Sequence, residues 1–310
     1  MKKHNLLFWS AIFCLLFPCS RVYAQDVEMS LRLMTYNIQH GAGTDDIIDL
    51  DRQAAIINNA LPDLVGMQEV DSCVKRSSYK PQAALLGSKT GMHATFGGAI
   101  PLTGGKYGVA ILSKEAPLSH RNIPLPGNEK RTLLVCEFEE YVFATTHLDL
   151  DADARLASMD IIVEEAARWD KPFFICGDWN DEPTSTLITK MKRAGFRMLS
   201  YVSNTSAYYT FPASTPKKLI DYIASFGKVY NSVKSRKVLN EPEASDHRPV
   251  VVELTLDSYT TDIRSATAGN DPEQPEAIYD LTGRQIANSM LANKLTKGIF
   301  IRNGKKFVVK

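Results

Sequence analysis

The chain has 310 residues, 44% of them hydrophobic and 23% charged, which is ordinary for a soluble globular protein with one large domain and small additions. Its formal net charge of +1 excludes the strong positive field typical of a protein that binds a nucleic-acid backbone through its overall charge. A local basic patch is compatible with this composition.

The amino terminus has the pattern of a secretory signal peptide. A basic start is followed by an apolar run at residues 6–17 and then by small residues, with a V-x-A cleavage site that ends at Ala24. The run is too short to span a bilayer comfortably. We therefore predict that residues 1–24 are removed and that the mature chain is exported to the periplasm, the cell surface or the medium. Lipid attachment at Cys19 is the alternative, although the residues before it form a poor attachment signal.

Removal of this segment changes the charge and the cysteine count. It takes away three of the 36 basic residues and no acidic one, so 33 basic residues remain against 35 acidic ones. It also leaves three cysteines, Cys73, Cys136 and Cys176, which cannot all pair within one chain. The sequences around the last two predict buried strands, where cysteine acts as a small apolar residue. We expect no disulfide framework and no cysteine metal site.

Strand-like and helix-like patterns then interleave up to about residue 256. Alternation over Leu31 to Ile38 predicts a strand, helical spacing over residues 49–63 predicts a helix, and the apolar run Leu64 to Val70 predicts a second strand. Further strands are predicted at 107–113, 132–138, 142–148, 172–177, 219–225 and from Val250 onwards, with a helix at 152–169. Such interleaving predicts a layered α/β or α+β domain.

The carboxyl-terminal part has a different composition. Residues 257–276 are rich in Ser, Thr, Asp, Pro and Glu and are typical of a linker. Residues 277–310 predict a short β-rich tail, with a hairpin turn at Asn303-Gly304. This tail resembles the sorting or surface-attachment segment of exported proteins of Bacteroidetes-type bacteria, and a plain β-appendage is the alternative.

Polar side chains gather where apolar strands give way to loops, a usual place for chemistry on layered α/β scaffolds. Each of them alone is most simply a cap or turn residue, and an Asp-His pair before a strand is most simply a turn with a solvated imidazole. The segments are Tyr36-Asn37-Ile38, Gln68-Glu69-Val70, Thr146-His147-Leu148-Asp149, Gly177-Asp178-Trp179-Asn180-Asp181 and Ser245-Asp246-His247.

Taken together and in this order, the segments resemble the endonuclease/exonuclease/phosphatase family of metal-dependent phosphoesterases. A sixth segment, Leu219 to Ile223, matches the Asp-Tyr strand of that family. The likeness runs from Leu31 to Leu256, so we expect residues 25–256 to form the catalytic domain. The resemblance implies an α+β fold of the DNase I-like kind, a four-layer α/β sandwich in which two packed mixed β-sheets are flanked by helices.

A phosphate ester resists attack because its oxygens are anionic, so a catalyst must neutralise that charge and prepare a water molecule. Mg²⁺, for which Mn²⁺ can substitute, accepts oxygen ligands and supplies the charge. Glu69 with Asn37 alongside is the kind of oxygen site that Mg²⁺ accepts, and the resemblance adds Asp246 near the metal or its waters.

The resemblance also implies the catalytic groups. A base that works near neutral pH points to histidine, and His247 is expected as general base or phosphate-binding group, oriented by Asp221. Asp178 and Asn180 are expected to position the attacking water and a phosphate oxygen, and on an extended segment both would point to the same face. His147 is expected to donate to a phosphate oxygen or to the leaving group.

These expectations predict an exported, Mg²⁺-dependent phosphoesterase, acting as a monomer on phosphate esters of small molecules or lipid headgroups. A secreted nuclease is the alternative, which the neutral charge balance and the lack of a run of basic and aromatic residues disfavour. An inactive surface binding module is a remote alternative, since the whole polar set is present. His40, shortly after Asn37, is interpreted as a loop histidine that could touch substrate.

Overall fold

The computed structural model describes residues 29–227 and 231–256 and, within the tail, residues 277–279, 285–288, 298–302 and 305–309. The predicted signal peptide, the predicted linker and the predicted turn at Asn303-Gly304 lie outside these residues. The strands Gly298–Arg302 and Lys305–Val309 pair antiparallel on either side of that turn position.

The described residues contain sixteen strands and four α-helices. The strands are β1 (Met29–Asn37), β2 (Leu64–Ser72), β3 (His93–Leu102), β4 (Gly105–Ser113), β5 (Ser119–Leu125), β6 (Arg131–Glu137), β7 (Val142–His147), β8 (Phe173–Asp178), β9 (Phe196–Met198), β10 (Asp221–Phe226), β11 (Asn231–Val238), β12 (Val250–Leu256), β13 (Ala277–Tyr279), β14 (Gln285–Asn288), β15 (Gly298–Arg302) and β16 (Lys305–Val309). The helices are α1 (Leu50–Ala60), α2 (Gln82–Thr90), α3 (Ala152–Ala166) and α4 (Thr186–Ala194).

The strands form two six-stranded sheets and one small sheet. The first sheet has the order β11-β12-β1-β2-β4-β3, the second β5-β6-β7-β8-β10-β9, and the tail forms a four-stranded sheet, β14-β13-β15-β16. The pairs β1–β2 and β7–β8 are parallel, and the other pairs in the two large sheets are antiparallel. Both large sheets are therefore mixed.

Three apolar clusters separate four layers. The middle cluster joins the facing sides of the two sheets, with Leu33 and Leu254 from the first against Phe143 and Phe174 from the second. A second cluster packs α1 and α2 onto the outer side of the first sheet, and a third packs α3 and α4 onto the outer side of the second. The expected four-layer sandwich of two packed mixed sheets flanked by helices is confirmed, together with a small extra sheet near the carboxyl terminus.

The two sheets are in close contact at Gly66 in β2. A Cβ atom at this position would lie 2.1 Å from Cys176 Sγ and 2.7 Å from Thr145 Oγ1, both in the second sheet. Two residues further on, Gln68 Nε2 donates to Thr145 Oγ1 at 2.9 Å, so the sheets are also hydrogen-bonded across the interface. A glycine at this point therefore sets the distance between the sheets.

Local sequence explains where several helices begin and end. Asp49, Asp151 and Ser185 precede α1, α3 and α4, and their side chains accept hydrogen bonds from main-chain N–H groups of the first turns. Helix α4 ends at Gly195, whose φ of 110° is readily adopted only by glycine.

Cys73, Cys136 and Cys176 are free, with Cys136 and Cys176 buried in strands as expected and Cys73 exposed. Within the described stretches of the chain, no helix is long and apolar enough to cross a membrane.

Candidate active site

The strand pairing brings the predicted polar residues to one end of the sandwich. Parallel pairing places the last residue of β1, Asn37, beside Gln68 in β2, and it places His147 beside Asp178 at the ends of β7 and β8. Antiparallel pairing sets Asp221, the first residue of β10, opposite Asp178. Because the carboxyl ends of parallel strands share an edge, both sheets present these side chains at the same end of the domain.

A buried histidine and two buried carboxylates form the centre of the site. Nδ1 of His247 lies 2.9 Å from Oδ2 of Asp221, and Nε2 of His247 lies 3.5 Å from Oδ2 of Asp178. The three side chains are at most 4% exposed. Their ligand-capable atoms lie within 4.8 Å of one another.

Burial and charge set the protonation states of this trio. Burial alone would lower the pKa of His247, but the adjacent carboxylates of Asp221 and Asp178 raise it to about 10. Burial raises the pKa of Asp178 to about 7, an effect that the cationic His247 partly opposes. Near neutral pH the imidazole is therefore a cation, and the carboxyl of Asp178 keeps its proton to a higher pH than an exposed aspartate does.

Two residues of the loop before β10 hold this arrangement. Thr210 Oγ1 donates to Asp221 Oδ2, the same oxygen that faces His247. The ring of Phe211 packs against the imidazole with centroids 4.8 Å apart. The main-chain N–H of Arg248 donates to the carbonyl of Thr210 at 2.8 Å, so the loop and the histidine segment are fixed to each other.

His147 is the second buried imidazole of the site. Its Nδ1 lies 3.3 Å from Nη1 of Arg131, and its Nε2 lies 3.0 Å from Nδ2 of Asn180 and 3.5 Å from Oδ2 of Asp178. Burial, then the charges of Arg131 and His247, hold the pKa of His147 well below its usual value. His147 is thus a neutral imidazole near pH 7.

Asn180 reaches the site by a different backbone geometry from the one expected. Its φ of 49° is left-handed, so residues 178–180 form a turn and not the extended segment that the two-residue spacing suggested. The main-chain N–H of Asn180 donates to Oδ1 of Asp178 at 2.9 Å, and this turn directs the amide to within 3.0 Å of His147 Nε2. Asp and Asn favour such side-chain-to-backbone turns.

Glu69 lies on the first sheet at a β-bulge. The register between β2 and β4 shifts between Met67 and Val70, and Glu69 has a left-handed φ of 59°. Non-glycine residues in that conformation are strained, and bulges redirect side chains next to active sites. Here the carboxylate is turned toward Asn37, whose Nδ2 donates to Glu69 Oε1 at 3.0 Å and also faces Asp178 Oδ2 at 3.2 Å.

Hydrogen bonds at both ends of the Asn37 amide set its orientation. Its Oδ1 accepts from the main-chain N–H of Gln39 at 3.1 Å, and its nitrogen faces the two carboxylates. The amide oxygen is therefore turned away from Glu69. In this arrangement Asn37 joins the carboxylate of one sheet to that of the other, and its role as a metal ligand stays a prediction.

Asp246 and His247 lie in the loop before β12, which begins at Val250 as predicted. In this loop Ser245 Oγ donates to the carbonyl of Asn37 at 2.7 Å and accepts from the N–H of His247 at 3.2 Å. The main-chain N–H of Asp246 donates to Gln39 Oε1 at 3.1 Å. The loop thereby sends His247 inward and leaves Asp246 half-buried.

The chemistry of the Glu69 side fits a hard divalent cation. Burial raises the pKa of Glu69, and the negative charge of Asp246 raises it further. Glu69 and Asp246 are both carboxylates, which are the oxygen ligands that Mg²⁺ prefers. Their combined negative charge also favours a cation nearby. The ligand-capable atoms of His247, Asp221 and Asp178 form a second candidate cluster, where a cation would have to displace the proton that the two carboxylates hold on His247.

Sequence analysis missed four residues of this site: Arg131, Tyr107, Thr210 and Phe211. Arg131 is 7% exposed, and its Nε has no hydrogen-bond partner within the described part of the chain. Arg131, Tyr107 and His147 line a common cavity. Arg131 is the first residue of β6, and a charged residue at that position in the sequence is typical of an exposed strand end. Nothing in the sequence around Thr210 and Phe211 indicates that they hold His247, which follows Phe211 by 36 residues.

His40 lies in a tight turn after β1, with a left-handed φ of 45°. It is half-buried, its carbonyl accepts from Gln82 Nε2, and burial lowers the pKa of its imidazole. These contacts place it at the rim of the site, outside the central cluster.

Known structures share this fold. An endonuclease/exonuclease/phosphatase from Bacteroides vulgatus aligns with a TM-score of 0.61 and 20% identity over 74% of this chain and 99% of that chain. A mannosyl-6-phosphatase from Bacteroides thetaiotaomicron aligns with a TM-score of 0.57 and 19% identity over 72% and 99%. The human nocturnin catalytic domain, with a bound sulfate anion, aligns with a TM-score of 0.56 and 21% identity over 74% and 96%.

No curated protein matches the chain. The sequence profile described as the endonuclease/exonuclease/phosphatase family matches residues 34–247, more than half of the chain and a range that includes every residue of the site described above. The members of that family are phosphoesterase hydrolases, generally dependent on a divalent metal. The chain belongs to the endonuclease/exonuclease/phosphatase family.

Proposed function

We propose that this protein is an exported, Mg²⁺-dependent phosphoesterase that hydrolyses phosphate esters of small or lipid-derived molecules. The observation that carries the proposal is the joining of two half-sites through Asn37. That amide lies within 3.2 Å of Asp178, beside the cationic His247, and within 3.0 Å of Glu69. Glu69, which is expected to hold the cation, and Asp178, which is expected to transfer a proton, therefore lie on either side of the same amide. Attack of water on a phosphate ester requires these two functions close together.

Glu69 and Asp246 would hold the metal, which supplies positive charge to the phosphate oxygens. The protein groups do the rest. Asp178, with a pKa of about 7, takes the proton of the attacking water, for which a base poised near the working pH is best suited. Water oxygen bonds to phosphorus as the bond to the leaving oxygen breaks.

His247 is assigned to phosphate binding, the second of its two expected roles. An imidazole that stays protonated to a pKa of about 10 does not accept a proton from water at neutral pH, but its Nε2 proton can neutralise a phosphate oxygen. Asp221 orients it and His147 adds a neutral donor. Arg131, whose Nε has no partner among the described residues, supplies a second cation.

Two observations support small substrates over nucleic acid. The mature chain is close to neutral, with 33 basic against 35 acidic residues if cleavage follows Ala24. One structural relative is a mannosyl-6-phosphatase. A panel of p-nitrophenyl phosphate, bis-p-nitrophenyl phosphate, sugar and inositol phosphates, sphingomyelin and plasmid DNA, each with Mg²⁺ and with EDTA, tests this. Faster turnover of plasmid DNA than of every small ester would favour the nuclease alternative.

Export remains part of the proposal and rests on the pattern of residues 1–24. Mass spectrometry of the protein from its natural source should find Gln25 at or near the amino terminus. A chain that keeps Met1 and stays in the cytoplasm would refute export.

A further inference from the structure

Arg76 lies beside the candidate site and has no part in the reaction proposed above. It sits in the 3-10 turn Lys75–Ser77, shortly after β2 ends. Its Nε and Nη2 each donate to a different oxygen of Asp71 at 2.8 Å. The Asp71 side chain is fully buried, whereas that of Arg76 is 41% exposed. The hydrogen-bonded Asp71 raises the pKa of Arg76 and the negative charge of Glu69 is among those that raise it further, so the pair with Asp71 holds the guanidinium near the metal-side carboxylate.

The guanidinium also packs on an aromatic ring that lines the site. Tyr107 pairs with Asp71 across β2 and β4, and Cζ of Arg76 lies 5.4 Å from the centre of its ring. The Tyr107 hydroxyl interacts with Arg131, and both residues line the cavity that reaches His147. Tyr107 therefore stands between two cations, one at the reaction centre and one at the rim.

A purely structural ion pair is the simplest alternative, and the chain offers a matched example. Arg121 pairs with Glu165, with side-chain exposures of 45% and 3%, on β5 and α3, away from the site. Arg76 differs in its surroundings, because it packs against Tyr107, which lines the cavity that reaches His147. Both arginines keep N–H donors without an acceptor among the described residues, at Nη1 in Arg76 and at Nε and Nη2 in Arg121, but those of Arg76 lie next to this cavity, where a ligand can accept them.

Resting on the phosphoesterase function proposed above, we propose that Arg76 is a substrate-binding residue that takes a second anionic group. The scissile phosphate would lie by Arg131, His147 and His247, the organic part of the substrate would pack against Tyr107, and Arg76 would bind a further phosphate or carboxylate. The preferred substrates are then phosphate esters that carry one more anion. The planar, doubly anchored fork of arginine suits either anion.

Competitive inhibition tests this with probes that the enzyme does not hydrolyse. The assay is hydrolysis of p-nitrophenyl phosphate or bis-p-nitrophenyl phosphate with Mg²⁺. The inhibitors are benzylphosphonate, its 3- and 4-carboxy derivatives and 1,4-xylylenebisphosphonate, which share one phosphonate and differ in the second anion. Wild-type enzyme should bind at least one probe that carries a second anionic group about tenfold more tightly than benzylphosphonate. This factor is at the low end of the range expected for a hydrogen bond to a charged group.

The variants decide whether Arg76 is the cause. Arg76→Ala should reduce the ratio of inhibition constants to about one, Arg76→Lys should lower it partly because the fork is lost, and Arg121→Ala should keep the wild-type ratio. The carboxylate and bisphosphonate arms show which anion is preferred. If Arg76→Ala fails to fold, the wild-type ratio and Arg76→Lys still decide.

An active enzyme that binds all the phosphonates equally would overturn this inference and leave the phosphoesterase function standing. So would an Arg76→Ala variant that keeps the wild-type ratio. Absence of hydrolysis of both p-nitrophenyl esters with Mg²⁺ and with Mn²⁺ would contradict the function itself and with it the role of Arg76.

Discussion

Nδ1 of His247 lies 2.9 Å from Oδ2 of Asp221, and both side chains are buried away from solvent. An imidazole and a carboxylate at this distance act as one unit. The carboxylate keeps the imidazole charged, and the imidazole neutralises a carboxylate that would otherwise be costly to bury.

For this unit we predict non-additive losses of turnover. His247→Ala should lower kcat by about 10²- to 10³-fold, the loss typical of removing one charge-stabilising donor. Asp221→Ala acts through the same ring, so the double variant should be little worse than the worse single variant. Measuring kcat and melting temperature on all three separates this from a structural role. A His247→Ala enzyme that is less stable but equally fast would contradict the assignment.

A second prediction concerns the metal. EDTA should abolish hydrolysis, and Mg²⁺ or Mn²⁺ should restore it. Glu69→Gln should raise the Mg²⁺ concentration for half-maximal activity by more than about tenfold, since even the loss of an outer-shell partner typically costs about 10- to 100-fold. Glu253→Gln, which disrupts the surface pair with Arg32, is the control and should behave as wild type. Full activity in EDTA would exclude a metal-dependent mechanism.

The third prediction concerns Arg131. If its free guanidinium edge meets the phosphate, Arg131→Ala should raise the inhibition constant of inorganic phosphate by about 10- to 100-fold, the equivalent of one hydrogen bond to a charged group. Arg131→Lys should recover part of this, because it keeps the charge and loses the fork. An unchanged inhibition constant in Arg131→Ala would show that the residue serves the fold alone.

The fourth prediction concerns stability against pH in metal-free protein. The folded state raises the pKa of His247 from 6.5 to about 10, so it holds the proton more tightly than the unfolded chain does. The resulting stabilisation is fully present below pH 6.5 and is lost as the pH rises through 10. Asp221→Asn removes the largest cause of the raised pKa. The melting temperature of wild type should therefore exceed that of Asp221→Asn most at low pH, and the gap should shrink above neutrality.

That melting series is best run in EDTA, with an NMR titration of the imidazole protons alongside it. A gap that stays constant between pH 6 and pH 10 would mean that His247 is not a buried cation, and the assignment of phosphate binding to it would fall.

Much of the fold was accessible from sequence because its central strands are continuous apolar runs. β1, β2, β7 and β8 are buried almost throughout, and each was predicted. β5 was missed because six of its seven residues are at least partly exposed and its apolar positions are few. Edge strands and short helices such as α4 depend on tertiary contacts more than on their own pattern.

Several members of the site were predictable from the sequence, but its geometry was not, and neither were four further residues: Arg131, Tyr107, Thr210 and Phe211. Family resemblance named His247, Asp178 and Asp221, which lie far apart along the chain and meet only through strand pairing. Local rules failed where the backbone departs from regular structure, as in the left-handed turn at Asn180 and the bulge at Glu69. These departures direct the side chains into the pocket, and no periodicity encodes them.

The close contact of the two sheets at Gly66 affects hydrogen bonds in the candidate site. Asn37 and Glu69 belong to one sheet and Asp178 to the other, and the amide of Asn37 touches both carboxylates only because the sheets are in contact at Gly66 and Cys176. A methyl group at this position, as in Gly66→Ala, would force the two sheets apart in the buried core. It would separate the Asn37 amide from the Asp178 carboxylate without changing either residue. The geometry of the site therefore depends on the spacing of the two sheets in the core.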